Sequence, residues 1–220
     1  NASTVGFKAQ KHRFRAVPVL SEAMPTRAFV VDASVSDVMD EGPLMFTGNN
    51  LDVAVNGKGW LAVQLPDGSE AYTRAGRLDV EVTGLLQTKS GYPMVGDGGP
   101  ISMPPDNRVE IAPDGTVSVI PKFGTPNNAS AIGRIKLVNP PEATLVRGSD
   151  GLFRVNNGQP AARDDGVKLT SGTLEGSNVN VTDAMVNLIS LSRQFEMQIK
   201  LLQTADTNAQ RADQLLSLNA

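Results

Sequence analysis

The chain has 220 residues, with 20 Lys or Arg against 23 Asp or Glu and a net charge of -3, a balance that speaks against nucleic-acid binding, which goes with strong net positive charge. There is no cysteine and a single histidine, His12, which excludes disulfide frameworks, Cys-based zinc sites and thiol chemistry. No window reaches the roughly 18 apolar residues of a membrane span and the N-terminus lacks the apolar core of a secretory signal, so neither membrane insertion nor export by a cleaved signal on this chain is expected.

Residues 1–47 hold Pro18, Pro25 and Pro43 and no sustained period, which predicts an extended arm packed in places on the rest of the chain. Its basic cluster, Lys8, Lys11, His12, Arg13 and Arg15, is interleaved only with Phe7 and Phe14. That is too little aromatic surface for a nucleic-acid platform, so the cluster reads as a solvated segment. From residue 48 to 170 the texture changes to short β-prone runs separated by turns. Asp-Gly occurs at Asp67, Asp97, Asp114, Asp150 and Asp165, twice inside Pro-Asp-Gly at Pro66 and Pro113, and these are hairpin signals. The runs between them include Gly59 to Leu65, Ala71 to Thr73, Leu78 to Val82, Val109 to Ala112, Thr116 to Ile120 and Ile132 to Asn139. Leu61, Val63 and Leu65 alternate with Trp60, Ala62 and Gln64, as on a strand with two distinct faces. Scarce aromatics, 5% of the chain, leave the core to Val, Leu, Ile, Met and Ala. No helical crossover separates the runs, so the expected fold is mostly β: an all-β antiparallel domain over 48–170.

Residues 171–220 read as a linker and one long α-helix of coiled-coil type. Val181, Met185, Leu188, Ser192, Phe195, Ile199 and Leu202 keep heptad spacing, the pattern that faces a partner helix. After a three-residue step to Ala205 the seam resumes as Ala209, Ala212 and Leu216, a single stammer. Asn180 is placed to cap the helix, with Asp183 in its first turn. A helix of this length cannot bury its whole seam on a small domain. The candidate interface residues are therefore Val181, Met185, Leu188, Phe195, Ile199, Leu202, Ala209 and Leu216.

Catalytic chemistry finds little to work with. A serine triad could use only His12, and there is no Gly-x-Ser-x-Gly elbow. Gly57-Lys58-Gly59 matches a phosphate loop for three residues only and leads into a strand. The Asp-Gly turns form no calcium loop or nonapeptide repeat, and adjacent Asp164 and Asp165 point apart in extended chain. No enzyme activity, cofactor, metal or small-molecule substrate is expected.

Thr47 to Trp60, followed by Asp67 to Arg74 and Ser90-Gly-Tyr-Pro93, resembles the signature of the bacterial flagellar rod and hook family. Asn1 to Phe7 is similar to the motif that closes that family's N-terminal helix, and Leu174 to Asn180 with Arg193-Gln-Phe-Glu-Met197 resembles its C-terminal axial helix. Gly59 to Val63, Arg15 to Pro18 and Arg211 to Leu218 point to the proximal rod branch. Asn49-Asn50-Leu51-Asp52 stands where the distal rod and hook branches usually read Asn-Pro-Leu-Asp. The resemblance implies a structural subunit, with self and neighbouring rod proteins as partners. Such subunits stack helically into the periplasmic rod, leave the cell by the flagellum-specific export apparatus and transmit motor torque. It further implies that the family's N-terminal helix, partner of the seam, precedes Asn1. A distal rod or hook paralogue, a coiled-coil-stalked fibre outside the family and a β-domain binding module are the alternatives.

Overall fold

The computed structural model describes residues 1–18, 28–104, 107–121 and 129–217, by backbone alone at 12–18, 28–35 and 212–217. Antiparallel strands dominate, and one helix, Val181–Ser217, closes the chain. Contacts divide it into two compact units, Asn1–Val179 and Asn180–Ala220. The expected mostly-β fold with one C-terminal helix is what forms.

The centre of the first unit is a five-stranded antiparallel sheet in the order Leu137–Val138, Trp60–Gln64, Glu70–Thr73, Phe153–Val155, Leu145–Arg147. Its central hairpin is set by the Pro66-Asp67-Gly68 turn. The Asp67 carboxylate accepts from the Ser69 N–H at 2.9 Å and hydroxyl at 2.6 Å, and Gly68 takes the left-handed φ of 84°, which a residue without Cβ adopts freely. Leu61, Val63 and Leu65 then face a large apolar cluster with Val53, Leu86, Met94, Ile101, Val117, Ile135 and Leu169. Trp60 and Ala62 face a second, with Tyr72, Val138 and Phe153. Alternation separated the two faces correctly; that both are buried is a tertiary outcome. The Trp60 ring lies 4.6 Å from that of Phe153, an aromatic pairing worth about 1 kcal/mol beyond area burial.

Asn107–Ile111, Thr116–Pro121 and Ser130–Arg134 make a three-stranded sheet. The expected run Ile132 to Asn139 is divided: Ser130–Arg134 belongs to this sheet and Leu137–Val138 to the central one. Between them the Ile135 N–H donates to Gly115 and the Lys136 N–H to Val95, so the chain changes partners there. Val53–Asn56 pairs with Lys168–Ser171, and Leu44–Phe46 with Thr173–Glu175, which returns the end of the unit onto its beginning. Within the N-terminal arm, Gln10–Pro18 and Ala28–Asp37 pair as an antiparallel hairpin with an irregularity between Arg13 and Phe14. A one-residue shift exchanges the two faces of a strand, which is why no period signalled it. Pro25 and the residues around it lie outside the described residues.

Candidate assembly surface and clasp

The second unit is the helix Val181–Ser217, about 55 Å long at the usual rise. Asn180 begins it as expected. Its side-chain oxygen accepts from the N–H groups of Thr182 at 3.0 Å and Asp183 at 3.3 Å, satisfying donors that have no partner inside the helix. Asp183 lies in the first turn, where the helix dipole favours negative charge. Farther along, the hydroxyls of Thr204 and Thr207 donate to the carbonyls of Lys200 and Gln203, both at 2.8 Å, so two side chains that could oppose helix formation are occupied.

Taken by itself, the helix has no second element on which to bury apolar surface. Val181, Met185, Leu188, Phe195, Ile199 and Leu202 are all exposed, Leu188 by 69%, Phe195 by 63% and Leu202 by 71%. Ala209 is exposed too, while the side chain of Leu216 lies outside the described residues. In a straight helix a heptad spacing drifts by about 20° per repeat, so neighbouring positions of the series adjoin while its two ends do not share one face. Val186, Ile189, Leu191, Met197 and Leu201 are also exposed and widen the apolar surface beyond the heptad stripe. Counting apolar residues around the helix, in place of following one seam, would have found them.

Sequence reasoning missed a buried ionic clasp in the first unit. Glu175, 1% exposed, holds Lys8, also 1% exposed, through Oε1 at 2.6 Å, and Arg74 through Oε2 at 2.9 Å. The Gly42 N–H donates to Oε1 at 3.0 Å. Lys8 also donates to the Asp40 carbonyl at 2.8 Å, and Arg74 to the Gly57 carbonyl at 2.7 Å while its guanidinium lies 5.4 Å from the Trp60 ring centre. Burial holds the Lys8 ammonium below its usual pKa, opposed by its bond to Glu175; desolvation of the charged form is the larger effect. A second attachment is Arg147, which pairs with Asp37 at 2.9 Å, donates to the Lys8 carbonyl and stacks 5.1 Å from the Phe7 ring centre.

The side chain of His12 lies outside the described residues, though its strand does not. A hollow of about 780 Å³ is bordered by Asn1, Gly6, Phe7, Tyr92, Arg147 and Asp150, but Arg147 is engaged by Asp37 and the Lys8 carbonyl, and Asp150 is held by Arg154. Among the described residues no group of His, Asp and Glu could hold a metal ion, and no helix is long and apolar enough to cross a membrane, which says nothing of β-barrels.

Comparison with known proteins places these features in one family. Residues 170–215 match the family described as flagellar basal body rod FlgEFG protein C-terminal, and residues 54–119 match the flagellar hook protein FlgE/F/G D1 domain. Over its full length the chain is 44% identical to flagellar basal-body rod protein FlgF of Escherichia coli (strain K12), covering 89% of that protein. It is 43% identical to FlgF of Salmonella typhimurium with the same coverage. Identity to FlgG of Buchnera aphidicola subsp. Schizaphis graminum is 35%, over 83% of this chain and 71% of that one. With the C-terminal match spanning the clasp glutamate and most of the exposed helix, and the D1 match spanning the central hairpin, this chain belongs to the FlgE/F/G family of flagellar rod and hook proteins.

Proposed function

We propose that the chain is a structural subunit of the flagellar basal-body rod, with the role its FlgF relatives carry, and that it polymerises through the helix Val181–Ser217. The observation that carries this reading is the exposure of Val181, Met185, Leu188, Phe195, Ile199, Leu202 and Ala209 inside the matched C-terminal region. Val181, Met185, Leu188, Phe195, Ile199, Leu202, Ala209 and Leu216 are the proposed contacts, and a helix of the rod, from the same protein or a neighbouring subunit, is their occupant. Knobs-into-holes packing along such a seam provides many contacts parallel to the axis, as a shaft that transmits torque requires. Heterologous contacts that do not close extend it as an open helical filament. The proposed division of labour gives residues 48–170 the outer β-domain, 1–47 an arm on it and 171–220 the linker and axial helix; the unit boundary at Val179 and Asn180 favours a separate helix from Asn180 on, with the strand Thr173–Glu175 in the first unit. The rod reading puts the protein in the periplasmic part of the basal body, reached by flagellar export without a cleaved signal. It makes the protein a non-enzyme, without nucleic acid, membrane insertion or small-molecule substrate.

Swimming motility and rod assembly in a strain carrying the full-length protein test it. Phe195→Asp should abolish both, since it would bury an unpaired carboxylate in the helical core, while the β unit melts as in the wild type. His12→Ala should swim normally. A motile Phe195→Asp strain beside a non-motile His12→Ala strain would overturn the structural reading.

A further inference from the structure

Two stretches far apart in the sequence, residues 6–9 and 37–43, meet on a third, residues 175–178. The Gly6 N–H donates to the Glu175 carbonyl and the Gly176 N–H to Pro43, both at 2.8 Å. The Asn178 N–H donates to Phe7 at 3.2 Å, and its side-chain oxygen accepts from the Ala9 N–H at 2.6 Å. Its side-chain amide donates to the carbonyls of Val38 at 2.8 Å and Asp40 at 2.9 Å. The Val38 N–H in turn donates to Ala9 at 2.8 Å. Almost nothing apolar holds this segment down. Among residues 1–11 and 36–43 the buried ones are Lys8 and Gly42, and no residue of either stretch belongs to the larger core cluster; Met39 packs partly on the smaller one.

The carboxylate of Glu175 is divided between two tasks. Oε1 takes the arm, through Lys8 and Gly42, and Oε2 takes the β-sheet, through Arg74. Both cations are almost fully buried, so losing the carboxylate leaves two unpaired buried charges, a far larger penalty than losing a surface pair. We infer that residues 1–11 and 36–43 form a strap that is locked on the β unit by Glu175 and opens as one cooperative piece, without the two apolar clusters unfolding. Arg147 is the strap's second attachment, but its ion pair with Asp37 and its hydrogen bond to the Lys8 carbonyl do nothing for a Lys8 ammonium stripped of its counter-charge. Closure also fixes Gly176 and Asn178. The strap lies wholly within the first unit and does not rest on the rod reading.

Hydrogen exchange on the full chain tests the lock, comparing wild type with Glu175→Gln and Lys8→Met. In Glu175→Gln the amides of Gly6, Ala9, Val38, Gly42, Gly176 and Asn178 should exchange together, at least about a hundredfold faster; in Lys8→Met, which strands no charge but loses the bonds to Glu175 and the Asp40 carbonyl, the same amides should exchange together about tenfold faster, and in both trypsin should cut sooner after Lys11. The amides of Ala62, Met94, Ile135 and Leu169, bonded inside the β unit, should keep wild-type protection. Lys8→Met leaves Oε2 on Arg74, so it decides the matter alone if the glutamine variant does not fold. Acceleration confined to Gly42, or acceleration of the core amides in step with the arm, would overturn the strap. Motility is not read in this experiment, so its failure is distinct from failure of the rod reading.

Discussion

At Gly6 the backbone has a φ of +66°, and a Cβ there would stand 2.3 Å from the carbonyl carbon of Arg74. No side chain fits that space without moving backbone, and the left-handed conformation adds its own strain. Gly6→Ala should therefore break the bond from Gly6 to Glu175 and lower the melting temperature, by roughly 1–3 kcal/mol of stability. An unchanged thermal melt would show that the approach is looser than the geometry requires. Asp150 illustrates pH dependence at the same scale. Its bonds to Arg154, and then to the Leu152 N–H, hold its carboxyl below the usual carboxylate value. A lowered folded-state value means stability that is present above the ordinary carboxylate pKa and lost as pH falls through the folded one. Asp150→Asn should cost at most about 1 kcal/mol at neutral pH and flatten the acid limb of the stability curve below roughly pH 4. A variant with an unaltered acid limb would show that Asp150 contributes nothing to it.

The helix Val181–Ser217 depends on what it meets. Without packing on its apolar stripe, even a helix of good composition is marginal in water. Amide protection along 195–216 should accordingly be weak in dilute monomer and rise when the seam is covered; strong protection in the dilute monomer would contradict the proposed interface. Asn180→Ala removes the acceptor for Thr182 and Asp183 and should cost about 1 kcal/mol of helix stability, read as lost ellipticity at the helix band. This cap was legible in the sequence because it is local: Asn before an apolar period, Asp three residues on. The turns at Asp67, Asp114 and Asp150 were legible for the same reason. In each, the Asp side chain accepts from the N–H two residues on, at 2.9, 3.1 and 3.1 Å.

For the molecule as a whole, the two compact units imply two stabilities. Trp60 lies in the second apolar cluster, so its fluorescence reports on the β unit. Deleting residues 181–220 should leave one cooperative transition seen by that tryptophan, with a midpoint close to that of the full chain. A non-cooperative or absent transition would mean that the strands need the helix to fold. The distribution of apolar residues argues for independence, since the clusters around Leu61 and Trp60 draw every buried member from residues 53–169.

By itself the sequence determined what local spacing can encode. Period-two alternation from Trp60 to Leu65, Asp-Gly turns and a heptad from Val181 broken by one stammer each act over a few residues, so strand, turn and helix could be read before any partner was known. The tertiary structure decided which surfaces those elements share. Glu175 meets Lys8, Arg74 and Gly42 across 167, 101 and 133 residues of chain, and no local pattern marks a carboxylate that will be buried. The second face of Trp60–Gln64 is continued by Tyr72 and Phe153 of neighbouring strands and packed against by Met39 and Ala161, and the arm hairpin carries a shift that hides its period. Burial and ion pairing are properties of segments brought together, and only the folded chain brings these together.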